Sequence, residues 1–229
     1  MSPRLVAVIL AGGAARRMGG GDKPLLEIGG RPMLQAVIEA IDLPDIAISA
    51  NGDPSRFAAF NRPVLADGDF AGEGPLAGLL AGLHWAAGLG AEALLTVPGD
   101  MPFLPKGFAE RLLPAPRAVI SENRRQHLVA TWPVGCAGTL LNCLENGKMR
   151  RVAAFAETVG THYIEFPVIP CTSFANINTR GQLELARKLM PTTGRDDSPT
   201  GGDWREFDDD DDRCDRRPGR HRPAAGQSD

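Results

Sequence analysis

Leu5-Val6-Ala7-Val8-Ile9 runs straight into Leu10-Ala11-Gly12-Gly13-Ala14-Ala15-Arg16-Arg17-Met18-Gly19-Gly20-Gly21-Asp22-Lys23. An apolar run of strand length is followed by a loop holding five glycines and three cations. Glycines let backbone N–H groups approach an anion closely, and Arg17 and Lys23 bring the charge that a polyphosphate requires. Open α/β sheets bind ligands beyond the carboxyl ends of their strands, so a phosphate-handling loop after the first strand predicts that class of fold. The loop is neither of the two commonest phosphate loops. Asp22 precedes the lysine and Pro24 follows it, which breaks the Walker pattern, and G-x-G-x-x-G does not occur in it. A flexible surface turn would use the same glycines, but not the same cations directly after a buried strand.

Downstream, apolar runs of strand length alternate with amphipathic segments, the pattern of βα units on a mostly parallel sheet. Strands are predicted at 5–10, 46–50, 62–65, 93–97, 118–121, 128–133 and 163–166. Helices are predicted at 33–41, 75–87, 106–113, 139–145, 151–158 and 180–190, and there is no internal repeat.

The 229 residues are 43% hydrophobic, enough for one substantial core. The start of the chain lacks the charged, apolar and small-residue regions of a signal peptide, and no apolar run approaches the ~20 residues that span a bilayer. The expectation is a cytoplasmic protein with no membrane contact. Cys136, Cys143, Cys171 and Cys214 form no C-x-x-C pair, which argues against a disulfide framework or zinc cluster.

After Pro191 the composition changes. Residues 192–229 carry 11 acidic and 7 basic side chains, among them the run Asp208 to Asp212, and almost nothing that builds a core. The expected organisation is one domain over 1–191 and a disordered charged tail over 192–229. The tail's interleaved acids and lack of stacking aromatics argue against nucleic-acid binding.

L-A-G-G-x-x-x-R-M-G-G-x-D-K-x-L-L at Leu10 to Leu26 resembles the signature of the molybdenum cofactor guanylyltransferases. In order follow Gly74-Pro75-Leu76-Ala77-Gly78, Val97-Pro98-Gly99-Asp100-Met101-Pro102 and Asn176-Ile177-Asn178-Thr179, so the resemblance covers residues 4 to 190. It implies a three-layer, Rossmann-like α/β nucleotidyltransferase fold with helices on both faces of the sheet. It also implies GTP and Mo-molybdopterin as substrates, Mg2+ as cofactor, and molybdoenzymes or their chaperones as recipients of the product.

By that resemblance Lys23, Arg17 and Asp100 are the catalytic set. Leu10, Ala11, Gly12, Gly13, Lys23, Asn51, Asp67, Gly74 and Asp100 bind GTP, and Asp100 and Asn178 hold the metal. Independent readings stand beside several of these. Asp100 ends a buried strand and is placed to emerge at the sheet edge as a magnesium ligand, or else to make a turn. Asn178 precedes the last helix and is equally suited to cap it. Either Ser49 or Asn51 can align with the family's base-contacting asparagine. His127 lacks the proline that follows it in relatives, and is left outside the catalytic set.

Two other functions stay open at this level. One is a related transferase using CTP or a sugar phosphate, against which Gly12-Gly13 argues, since cytidylyl relatives tend to have Ala-Gly. The other is a non-catalytic carrier of GTP or cofactor, against which the intact Lys23 and Asp100 argue.

Overall fold

A computed structural model describes residues 3–12, 22–147, 149–166 and 173–190. Gly13, Arg17, Cys171, Cys214 and the whole of 192–229 lie outside them. The described chain runs β1 (Leu5–Leu10), β2 (Glu27–Ile28), β3 (Arg31–Pro32), α1 (Met33–Ile41), β4 (Ile46–Ser49), β5 (Val64–Leu65) and α2 (Pro75–Gly88). It continues through β6 (Ala93–Pro98), α3 (Phe108–Arg111), β7 (Arg117–Ser121), β8 (Arg124–Pro133), α4 (Ala137–Glu145), α5 (Val152–Thr158), β9 (His162–Glu165) and α6 (Arg180–Leu189). Short 3-10 helices lie at Lys23–Leu25, Pro54–Phe60 and Gly68–Phe70, the first of which supplies residues to the site.

Seven strands form one sheet in the order β5-β4-β1-β6-β8-β7-β9. β1 lies parallel between β4 and β6, and every interior residue of β1 is buried, as expected of a strand covered on both faces. One layer of core joins Leu34, Val37 and Ile41 of α1 to Ile9, Ile48, Val97, Phe57 and Phe108. The opposite layer joins Leu76, Leu79, Leu80 and Leu83 of α2 to Val8, Leu94, Trp132 and Phe155. Helices thus cover both faces, and the three-layer α/β expectation holds.

Differences from the predicted elements have local causes. The sheet is parallel through β5-β4-β1-β6, but β8 runs antiparallel to both β6 and β7. β8 also begins at Arg124, four residues before the predicted start. Glu122 and Asn123 both have positive φ (51° and 59°), so a two-residue turn joins β7 to β8 as a tight hairpin. The polar residues 124–127 hid this from a hydrophobic-run reading. The predicted helix at 106–113 shrinks to Phe108–Arg111, since Gly107 takes a left-handed conformation just before it. The small β2/β3 hairpin was not predicted, because two-residue strands carry no period.

Two glycines one turn apart set α2 on the sheet. A Cβ at Gly78 would overlap Ser49 Oγ and come within 2.9 Å of Leu10 Cδ2, while one at Gly82 would lie 2.8 Å from Val8 Cγ1. Both Gly78→Ala and Gly82→Ala are expected to lower stability by about 1–3 kcal/mol through overpacking. Gly78 lines the cleft described below and Gly82 does not. Calorimetric titration with GTP, the ligand that the resemblance implies, is therefore expected to show weaker binding in Gly78→Ala only; equal weakening in both would refute this placement of the helix.

Candidate active site

The carboxyl ends of β1, β4 and β6 open into a cleft of about 440 Å³ lined by Leu10, Gly12, Lys23, Ser49, Asn51, Asp67, Gly74, Gly78, Asp100, Leu128 and Asn176, among others. Backbone bonds fix its floor. Gly99 N–H donates to the Leu10 carbonyl (3.0 Å), Ala11 N–H to the Ser49 carbonyl (2.8 Å) and Ala50 N–H to the Leu65 carbonyl (3.0 Å). Each loop thus leaves the sheet tied to its neighbour. Ala11 spends its own N–H in that tie, so its amide proton is not free for a ligand.

Lys23 begins a 3-10 turn with Pro24 behind it, and Pro24 packs on Gly99, where a Cβ would meet Pro24 Cγ at 3.0 Å. This close approach carries the lysine over the end of β6. Lys23 is 8% exposed, and its Nζ donates to both Asp100 Oδ2 and Asn178 Oδ1. Three residues far apart in sequence meet at one ammonium.

Asn178 is brought there from the other direction. Ile177 is fully buried with Ile28, Met33, Leu183 and Ala186, and its N–H donates to the Asp100 carbonyl (3.0 Å). The cap of α6 is Thr179, not Asn178: Gln182 N–H donates to Thr179 Oγ1 (3.2 Å), and Gln182 Oε1 accepts from Thr179 N–H (3.1 Å). With the cap supplied by its neighbour, the Asn178 side chain turns to Lys23. Asn176 Oδ1, beside the cleft, is buried without a hydrogen-bond partner among the described residues, an acceptor aimed at no protein donor.

On the opposite wall, Asn51 and Asp67 form a reciprocal pair. Asn51 Nδ2 donates to Asp67 Oδ2 (2.6 Å), and Asp67 N–H donates to Asn51 Oδ1 (3.0 Å). The Asn51 amide therefore orients the Asp67 carboxylate. At the rim, α2 starts on Gly74 (φ 72°) with Pro75 in its first turn and no side-chain cap. Pro75 carries no N–H and Ala77 N–H donates back to the Gly74 carbonyl (3.2 Å), so the start of α2 offers few free donors to an anion.

Leu10, Gly12, Lys23, Asn51, Asp67, Gly74 and Asp100 line one cleft, and Asn178 joins it through Lys23. Ala11 is buried and does not line it. Gly13 and Arg17 fall outside the described residues. Sequence reasoning missed Pro24, Gly72 and Leu128. Leu128 arrives because β8 is irregular opposite β7, pairing Ala118 with Ala130 but Val119 with Gln126. Next to it, His127 Nδ1 meets the Tyr163 hydroxyl at 2.7 Å. Burial and the nearby Arg125 cation lower the His127 pKa, which keeps the ring neutral near pH 7. Cys136 and Cys143 are free thiols, and burial pushes Cys136 up to about 11.

The model of the MobA-like NTP transferase domain matches residues 7–160. This chain belongs to that family. A molybdenum cofactor guanylyltransferase of Acidiphilium cryptum is 48% identical over 184 residues, covering 80% of this chain and 93% of the relative. Another, from Mesorhizobium japonicum, is 41% identical over 199 residues, covering 81% and 96%. Among solved structures, the molybdopterin-guanine dinucleotide biosynthesis protein A of Archaeoglobus fulgidus shares the fold with a TM-score of 0.63, at 23% identity over 81% of this chain and 97% of that one. The MobA-like NTP transferases are nucleotidyltransferases, and the cleft of this member lies at the carboxyl edge of its parallel strands.

Proposed function

We propose that this chain transfers the guanylyl group of GTP to the terminal phosphate of Mo-molybdopterin, releasing pyrophosphate and forming the guanine dinucleotide cofactor. The observation that carries the reading is the meeting of Lys23, Asp100 and Asn178 at the cleft, in a chain whose curated relatives bear that activity in their names. A phosphate oxygen of the acceptor bonds to the α-phosphorus while the bond to the β-phosphate oxygen breaks. The attacking phosphate is already ionised, so no general base is needed. That agrees with a cleft whose nearest histidine faces a tyrosine.

The donor set fits Mg2+. Two oxygens, one carboxylate and one amide, already converge on a single cation, the Lys23 ammonium. No group of three His, Cys, Asp or Glu side chains able to hold a metal occurs among the described residues. A hard ion held by one or two protein oxygens, completing its shell with water and phosphate oxygens, needs none. When bound by Asp100 and Asn178, magnesium would neutralise charge on the phosphoryl oxygens.

Lys23, drawn toward the triphosphate, steadies the leaving group, and on sequence grounds Arg17 shares that work. The base sits on the β4 side, where Asp67, aligned by Asn51, accepts from guanine N–H groups. Asn176 Oδ1 is the free acceptor for a donor of the bound substrates. No helix among the described residues is long and apolar enough to cross a membrane, and we place the reaction in the cytoplasm. Molybdoenzymes or their chaperones receive the product, and residues 192–229 take no part in the chemistry.

The experiment is transfer of labelled α-phosphate to molybdopterin cofactor with magnesium, from GTP beside CTP and ATP. Label is expected in the dinucleotide from GTP alone. Transfer from CTP would move the chain to cytidylyl transfer, and GTP binding without pyrophosphate release would make it a carrier.

A further inference from the structure

Arg56 stands outside every motif named above, yet its guanidinium joins the two walls of the cleft. It lies in the 3-10 helix Pro54–Phe60, which Asp53 caps by accepting from Ser55 N–H (2.9 Å). Gly52, at φ 85°, turns the chain so that two carbonyls face the same side chain. Arg56 Nη2 donates to the Asn51 carbonyl (2.5 Å) and Nε to the Asp53 carbonyl (2.8 Å). Nη1 donates to the Asp22 carboxylate across 34 residues of sequence. The guanidinium rests 5.1 Å from the ring centre of the fully buried Phe57, which limits where it can move.

Asp22 is covalently next to Lys23, and Asn51 holds Asp67. One rigid fork therefore sets the spacing between the lysine and the base-side wall, a task that a point-charge lysine could not perform. We propose that Arg56 is a positioning residue for nucleotide binding: through Asp22 it holds Lys23 at the distance from the Asn51–Asp67 wall that a nucleoside triphosphate spans. The inference rests on the functional reading above, since it needs base and phosphates bound at those two places.

The two ends of the ligand separate the possibilities. In calorimetric titrations of the full-length chain, Asp22→Asn is expected to weaken GTP binding about tenfold while guanosine, which lacks phosphates, binds as in the unaltered protein. Arg56→Met is expected to weaken GTP binding at least as much, and the double variant no further than Arg56→Met alone, because both remove one connection. Arg56→Lys should fall between, having charge without the fork. In turnover the change should appear as a raised KM for GTP more than a lowered kcat.

If guanosine and GTP weaken together in Asp22→Asn, the pair only supports the fold and the proposal is overturned. It is equally overturned if neither variant alters GTP binding, or if the double variant loses the sum of both effects. An unaltered chain that binds neither ligand would instead defeat the functional reading, and this proposal with it.

Discussion

Asp100→Asn is expected to fold, to bind GTP within a few-fold of the unaltered chain, and to lose about 10³-fold in the rate of guanylyl transfer, ~4 kcal/mol of transition-state stabilisation. The split follows from where Asp100 sits. Its backbone carbonyl accepts from Ile177 N–H, and its position on the end of β6 is fixed by Gly99 and the neighbouring strand. Neither depends on the carboxylate. The side-chain oxygen faces Lys23 and Asn178 and is the one ionised oxygen at their meeting point. An asparagine keeps the shape and an acceptor for the lysine but loses the charge that a hard cation selects. Rapid-quench transfer assays beside equilibrium titration check it. Turnover within tenfold of normal would remove Asp100 from the metal-holding role.

Lys23→Met is expected to change two measurements in opposite directions. Turnover should fall about 10²–10³-fold, because the leaving pyrophosphate loses its buried cation. Binding of Mn2+ to the nucleotide-free protein, followed by the loss of the free-ion resonance signal, should tighten. The Asp100 and Asn178 oxygens are engaged by the ammonium in the chain described here, and the ammonium and a divalent ion compete for them. In the natural protein, triphosphate that draws Lys23 away would free both oxygens, so Mn2+ should bind better with nucleotide than without. Weak Mn2+ binding in Lys23→Met would mean that the two oxygens do not form a metal site, whatever the lysine does for the phosphates.

The sequence made the cleft legible where one local cause sufficed. A buried run ending in glycines and cations placed β1 and its loop, and the same logic placed Asp100 beyond β6. What it left open depended on partners far along the chain. Whether Asn178 capped α6 or faced the site turned on Thr179 and Gln182 forming the cap between themselves. The sequence left Ser49 and Asn51 both open as the base contact, and it gave no sign that the Asn51 amide pairs with Asp67 sixteen residues away. Arg56 carried no signal, because an arginine in a polar 3-10 turn looks solvated until Asp22 is brought beside it. The antiparallel direction of β8 was hidden by a two-residue turn without the usual glycine.

That reversal of β8 gives the cleft two shores of unlike construction. On one, strands β5, β4 and β1 finish, and what reaches the edge is a set of loops departing from the sheet. On the other, β8 begins, so Arg124 and Arg125 directly follow the two-residue turn of a hairpin. Loops that leave a parallel strand must travel to the next crossover and are constrained by it, whereas a hairpin tip can lengthen or change its charges with no effect on the strands' order. A change in the length or charge of the β7–β8 tip would therefore remake the second shore while leaving the loops of the first, and the order of the strands, as they are.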